Sequence, residues 1–430
     1  MAVCVGLIIG LGILRTPGVI ASTISDPWLY MSLWVAGGFF VLLSVLTVAE
    51  LFAITPKSGG IYALVRHSYG PYPGFVIGWV DWISSCGSTA LKSVVLVEYA
   101  ALLVPEITPF ITQLALVVNT MFAALQLGGV RLGARIQEVA TVGFAMIMLS
   151  IAVALFYGFF AGGTATVETI NAVGVAPAKA AQYGLVAAAV VYTYDGWFAA
   201  SNFGGEMRAG GRTTALGSIR CVLAVIGIYL FLNTALVLAV PLEAIAGHDL
   251  ALFGAIEIVF GDGSGTFIVI AALFILMSHH NTQYMIATRI MYAMSVDGLG
   301  TDRATGVSEK GTPTGALVIT WLTMGALILA GGFVFLLSLT TFLFIVTYIA
   351  TLIGVFRLRR KEPDIDRPYR AWGFPGVAVA CIVVWIAMAI FIGVMQPESV
   401  AFAIGMVAIS GPAYWWLKRV RHLDRVETAT

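Results

Sequence analysis

Charge is what this 430-residue chain has least of: 10% of its residues are Asp, Glu, Lys or Arg, against 60% hydrophobic ones. An ordinary soluble domain carries about a quarter charged residues to cover its surface. Such a domain is therefore excluded, and no polar stretch is long enough to form one separately. Cysteine is also scarce. Cys4, Cys86, Cys221 and Cys381 are scattered through apolar runs without ligand spacing, which argues for packing rather than a disulfide framework or a zinc site. No nucleophile–base pair and no metal-ligand cluster stands out, so neither an enzyme nor a resident metal or cofactor is expected. The first apolar run lacks a basic leader and a small-residue cleavage motif, unlike a signal peptide. Met1 already stands in that run, so either its first half-helix is short or a tail precedes it.

Long apolar runs are what the chain has in place of charge, with a mean hydropathy of +0.96. About 20 apolar residues in helical form cross a bilayer core. Twelve such spans can be drawn, at 2–24, 28–53, 72–103, 110–128, 136–160, 183–205, 215–240, 264–289, 315–333, 337–356, 374–394 and 398–417. The expected fold class is all-α integral membrane, with the lipid bilayer as its solvent. Of the 23 lysines and arginines, only Lys179 falls in the loops of one side, and only Arg15 and Lys92 lie within spans away from the ends that adjoin the other side's loops. All the others gather on the opposite side. Basic loops mark the cytoplasmic side, so a multi-pass protein of the cell membrane with both termini cytoplasmic is expected. The sorting accounts for the basic loops without a nucleic-acid partner. Other loops are less informative: 161–182 could carry a short surface helix, and 357–376 reads as a cytoplasmic lid or spacer.

Two spans are interrupted: VGLIIGLGILRTPG at 5–18 and VVYTYDGWFAASNFGGEM at 190–207. A broken helix in lipid leaves backbone N–H and C=O groups unsatisfied, so breaks persist where they line a cavity. A matched pair in two halves of a chain points to a transporter's substrate site near the midplane. Around Ile9, Gly10, Leu11, Gly12 and Ile13, unwinding frees the first N–H groups of the half-helix that follows, an end that attracts a carboxylate. Close helix packing through the glycines is the competing explanation. At Tyr192, Thr193, Tyr194, Asp195 and Gly196, freed carbonyls and the Asp195 carboxyl suit an ammonium group, unless Asp195 only pairs with a neighbouring base. Tyr192 or Tyr194 could close over a ligand. A carboxylate site opposite an amine site describes an α-amino acid. With the breaks in spans one and six, the chain divides into 1–160, an inverted repeat 161–360, and two trailing spans in 361–430.

Other ionisable groups fall inside spans. Arg15 and Lys92 belong to the outer half, where they could pair with Asp195 or Glu98 or take a role in coupling; Lys92 could equally snorkel outward. Asp81 lies nearer the inner side and reads as a bond to a neighbouring helix, whereas Glu50 and Glu138 sit at span ends and need no special role. His279 and His280 point about 100° apart on a helix, so at most one faces a pathway; His279 is kept as a gating or coupling candidate.

The stretches GLGILRTPGVIA (10–21), PKSGGIYALVRHSYGPYPGFVIGW (56–79), GVRLGARIQEVAT (129–141), YTYDGWFAASNFGGEM (192–207), RIMYAMSVDGL (289–299) and RPYR (367–370) together resemble the amino acid–polyamine–organocation superfamily, close to its L-type amino acid transporter branch. The resemblance implies the leucine-transporter fold: a 5+5 inverted repeat plus two C-terminal helices, carrying amino acids by alternating access without sodium. It places the substrate carboxylate on the amides of Gly10, Leu11 and Gly12, and the amine on carbonyls around Tyr192, Thr193 and Asp195, with Tyr192 as an aromatic gate. Two departures matter. Leu11 replaces a small polar residue of the family's first break, and Phe144 stands where many relatives carry a span-five lysine. An exchanger or facilitator is therefore expected ahead of a proton symporter; a polyamine carrier and a non-transporting sensor are the remaining alternatives. L-type relatives in animals join a glycoprotein through a loop cysteine, which is missing here, so an accessory subunit is not expected.

Overall fold

Lipid offers no partner for backbone polar groups, so each apolar run must satisfy its own as helix. The protein's structure, a computed structural model, describes residues 8–54, 60–128, 130–161, 180–198 and 211–421, with the backbone alone at 130–142, 144, 180–181 and 420–421. Among these residues there are fourteen α-helices and no strand. They are α1 Leu11–Ala21, α2 Pro27–Ile54, α3 Gly60–Tyr69, α4 Pro71–Leu103, α5 Ile111–Gln126, α6 Val130–Phe160, α7 Ala180–Thr193, α8 Gly211–Ala239, α9 Ala251–Phe260, α10 Gly265–Val296, α11 Thr314–Ala330, α12 Phe333–Lys361, α13 Gly376–Met395 and α14 Pro397–Arg421.

Eight helical stretches are long and apolar enough to cross a membrane: α2, α4, the short 3₁₀ turn with α5, α8, α10, α12, α13 and α14. The other four expected spans overlap α1, α6, α7 and α11, whose described apolar portions are shorter than these eight. Helices α3 and α9 lie between spans. Pro71 and Pro73 open α4, where a missing N–H costs nothing, and Gly70, at φ +98°, makes the turn from α3.

The long helix α4 packs against α10, α12, α3, α11 and α5, while α2 packs on α8. Its interior face carries Ser84, Ser85, Ser88, Thr89, Lys92 and Ser93, all buried. Outward, α13 exposes Val379, Val383, Ile390 and Val394, which suits contact with lipid rather than water. Trp28 at the start of α2 and Trp415 and Trp416 near the end of α14 are also exposed, the amphipathic rings expected at a membrane's two interfaces.

Glu50, expected to need no special role, turns out to anchor the basic face. It is 1% exposed. Arg359 donates to it at 2.8 and 2.5 Å, Arg367 at 3.2 Å and the Ala371 N–H at 2.8 Å. Arg367 also donates to the carbonyls of Glu362, Pro363 and Ile365, and Tyr369 to that of Leu46. The segment 362–371 is thus a strap bound across the end of α2. A span-end carboxylate can be buried here because several charge-assisted hydrogen bonds replace its hydration.

Candidate functional site

Helix α1 starts only at Leu11; Ile9 and Gly10 are not helical, and no side chain caps the helix. Helix α7 stops at Thr193, and 194–198 form a turn in which Gly196 has φ +103°, a conformation that penalises any Cβ. The two interruptions meet. A Cβ on Gly12 would stand 2.4 Å from the Thr193 Cα, so glycine is required for this approach. The hydroxyls of Thr16 and Thr193 are bonded at 2.7 Å. Tyr229 of α8 shares its O–H between the Ile8 carbonyl at 2.8 Å and the Thr193 carbonyl at 3.2 Å, tying one strand of each break to the same atom.

The surroundings of the breaks differ. Ile9, Leu11 and Ile13 are buried in the core, and the His279 ring lies against Gly10, with Nδ1 1.8 Å from where a Cβ would be. His280 instead bonds Ser93 at 2.8 Å and packs on the Phe122 ring, so the two histidines do serve different neighbours. At the second break, Tyr194 turns away to donate to the Trp34 carbonyl at 2.8 Å. Tyr192 faces α4, its hydroxyl 3.0 Å from Ser88, and its ring stacks with Phe344. Asp195 accepts from the Tyr348 hydroxyl of α12.

A small cleft of about 40 Å³ opens beside the second break, lined among others by Asp81, Ser85, Asp195, Gly196, Gln283 and Tyr348. Asp81, expected to bond a neighbouring helix, instead lines this cleft, and its side chain has no hydrogen-bond partner among the described residues. Lys92 does not snorkel: it is 1% exposed, and its Nζ reaches back one turn to donate to Ser88 Oγ at 2.7 Å. A chain Lys92–Ser88–Tyr192 results, on the side of the cleft away from the basic face.

Two ion-pair groups close the ends of the bundle. Arg15 pairs with Glu98, as one of its expected options, and with Asp249 at 2.6 Å rather than with Asp195. Its guanidinium lies 3.5 Å over the Phe333 ring. Tyr99 donates to the Asp249 carbonyl at 2.9 Å, and the Gly247 N–H to that of Gly18. On the basic face, Arg66 pairs with Asp297, which also accepts from Tyr62 at 2.7 Å. Burial, and next the charge of Asp297, raise the Tyr62 hydroxyl above its ordinary range, so it stays a donor at any pH a cell presents. These contacts join the 56–79 motif to the 289–299 motif.

Sequence reasoning missed Tyr229, Thr16 and Tyr348. Their only signal was a hydroxyl in a span, shared with many other residues. The expected roles of Phe144 and Glu138, residues 162–179 of the 161–182 loop with Lys179, and Lys57 and Cys4 fall outside the described residues or side chains.

Residues 1–411 match the amino acid permease family. The chain belongs to this family. It is 23% identical over 404 residues to the serine/threonine exchanger SteT of Bacillus subtilis, covering 89% of this chain and 87% of that protein. Against the large neutral amino acids transporter small subunit 2 of Homo sapiens it is 23% identical over 430 residues, covering 96% and 78%. Against the human cystine/glutamate transporter it is 25% identical over 442 residues, covering 98% and 85%. The permease is accordingly a multi-pass membrane transporter and not an enzyme.

Proposed function

We propose that this permease is a sodium-independent secondary carrier that exchanges or facilitates amino acids by alternating access, holding the cargo's backbone where its two helix breaks meet. The observation that carries the reading is the junction of α1 and α7, with Gly12 against Thr193 and Tyr229 bridging both chains. There the N-terminal end of α1, with its outward-directed N–H groups, faces the C-terminal end of α7, a dipolar arrangement complementary to a zwitterion. The amides of Gly10, Leu11 and Gly12 serve the carboxylate; carbonyls from Tyr192 to Asp195 serve the amine; Tyr192 is the gate.

The basic face is cytoplasmic in this reading, and both termini lie there. The halves 1–160 and 161–360 form the inverted repeat, with 361–430 trailing. The Arg15–Glu98–Asp249 group is then the outer lock and the Arg66–Asp297–Tyr62 group the inner one. The cleft lies on the cytoplasmic side of Tyr192. Exchange is favoured over proton symport because Phe144 stands in place of the span-five lysine, and because one relative is itself named an exchanger.

Reconstitution in proteoliposomes tests this. Labelled amino acids should enter when unlabelled amino acid is inside, without sodium and without a proton gradient. Uptake driven only by a proton gradient would replace exchange by symport, and binding without flux would replace the carrier by a sensor.

A further inference from the structure

Two side chains in the cleft lack partners of their own fold. Asp81 is 6% exposed and Ser85 2%; both line the cleft, and neither side chain has a hydrogen-bond partner among the described residues. The charge that bears on Asp81 is that of Asp195, of the same sign. Asp195, by contrast, has the Tyr348 hydroxyl and stands within electrostatic reach of Lys92. Among the described residues, one cation therefore offsets one of two carboxylates. A second carboxyl faces the cleft, nearly buried, beside an unpartnered hydroxyl, and a charge so placed without a partner is costly in a low-dielectric interior.

We propose that Asp81, Ser85 and Asp195 form a subsite for a cationic side-chain group, an ammonium or guanidinium, so that the cargo class is the basic amino acids. This rests on the amino acid reading of the junction above. The zwitterionic backbone carries no net charge, so a neutral cargo leaves Asp81 uncompensated. A lysine or arginine brings the one positive charge that is lacking, and its donors match the Asp81 carboxylate and the Ser85 oxygen. The subsite lies on the basic-face side of the junction.

Competition against exchange in proteoliposomes containing the full chain tests the subsite. In the unaltered protein, L-arginine and L-lysine should displace labelled cargo at lower concentration than L-leucine, L-serine or L-glutamate. Asp81→Asn should weaken arginine and lysine by about 30-fold or more, the effect of removing one member of a buried charge pair, and change leucine little. Asp81→Glu should keep the preference. Neutral amino acids winning in the unaltered protein, a measurement independent of any variant's folding, would overturn the subsite and leave the carrier standing. So would equal losses for every cargo in Asp81→Asn, or a change in its pH profile with cargo preference intact, which makes the occupant a proton. Displacement by putrescine as effective as by lysine supports the subsite but overturns backbone recognition at the breaks. Displacement by no amino acid at all overturns both readings.

Discussion

The two helix breaks look like counterparts in the chain, yet they are built for different work. The first is closed by its neighbours: Gly10 lies under the His279 ring, Gly12 against Thr193, and the side chains between are apolar and buried. The second ends in a turn at a positive-φ glycine and delivers Asp195 and Gly196 to a cleft. One offers backbone in a tight apolar seat; the other offers a carboxylate, hydroxyls and space. A topological repeat therefore does not imply a chemical one, and substitutions at the two breaks should fail in different ways.

The sharpest separation comes from Gly12→Val. Its Cβ meets backbone, the Thr193 Cα, which cannot swing aside. The cost should exceed about 3 kcal/mol, the upper end of ordinary overpacking, and neither flux nor a folded elution profile should survive. Next comes Gly10→Ala, whose clash is with a side chain. Flux should be lost in the single variant and return when His279→Ala is added. Failure of that rescue would show that Gly10 matters for more than room.

At the second break the expected losses are chemical rather than steric. Tyr348→Phe removes the donor to Asp195. A hydrogen bond to a charged group contributes about 1.5–3 kcal/mol, so kcat/KM for exchange should fall by about 10–100-fold with the protein folded. Ser88→Ala comes last in order. It interrupts the link from Lys92 to Tyr192, also a hydrogen bond to a charged group, and at about 1.5 kcal/mol, the lower end of that range, should raise KM in exchange assays by about 10-fold. Should Ser88→Ala outweigh Tyr348→Phe, the polar centre of the site would lie at Tyr192 rather than at Asp195.

Much of this could be read from residue order. Apolar runs located the helices, because a bilayer core sets their length, and the break positions emerged from glycines and polar residues inside such runs. Glu98, one of the two carboxylates named for Arg15, is its partner. Less could be read where burial depended on a distant neighbour. Glu50 looked like a span-end carboxylate until Arg359, Arg367 and the Ala371 N–H came to it. Lys92 looked free to reach an interface, but its rotamer runs one turn backward to Ser88. Asp81 looked like an interhelical bond and faces a cleft.

By itself the sequence determined the medium, the helical class, the side that gathers basic residues and the two places where helix must fail. These follow from local composition and from the rule that lipid satisfies no backbone group. Only the tertiary structure decided which polar groups meet. Tyr229 reaches Ile8 across 221 residues, and a one-residue shift turns a helical side chain by about 100°. Partner choice between helices therefore depends on rotation and depth, which only packing fixes.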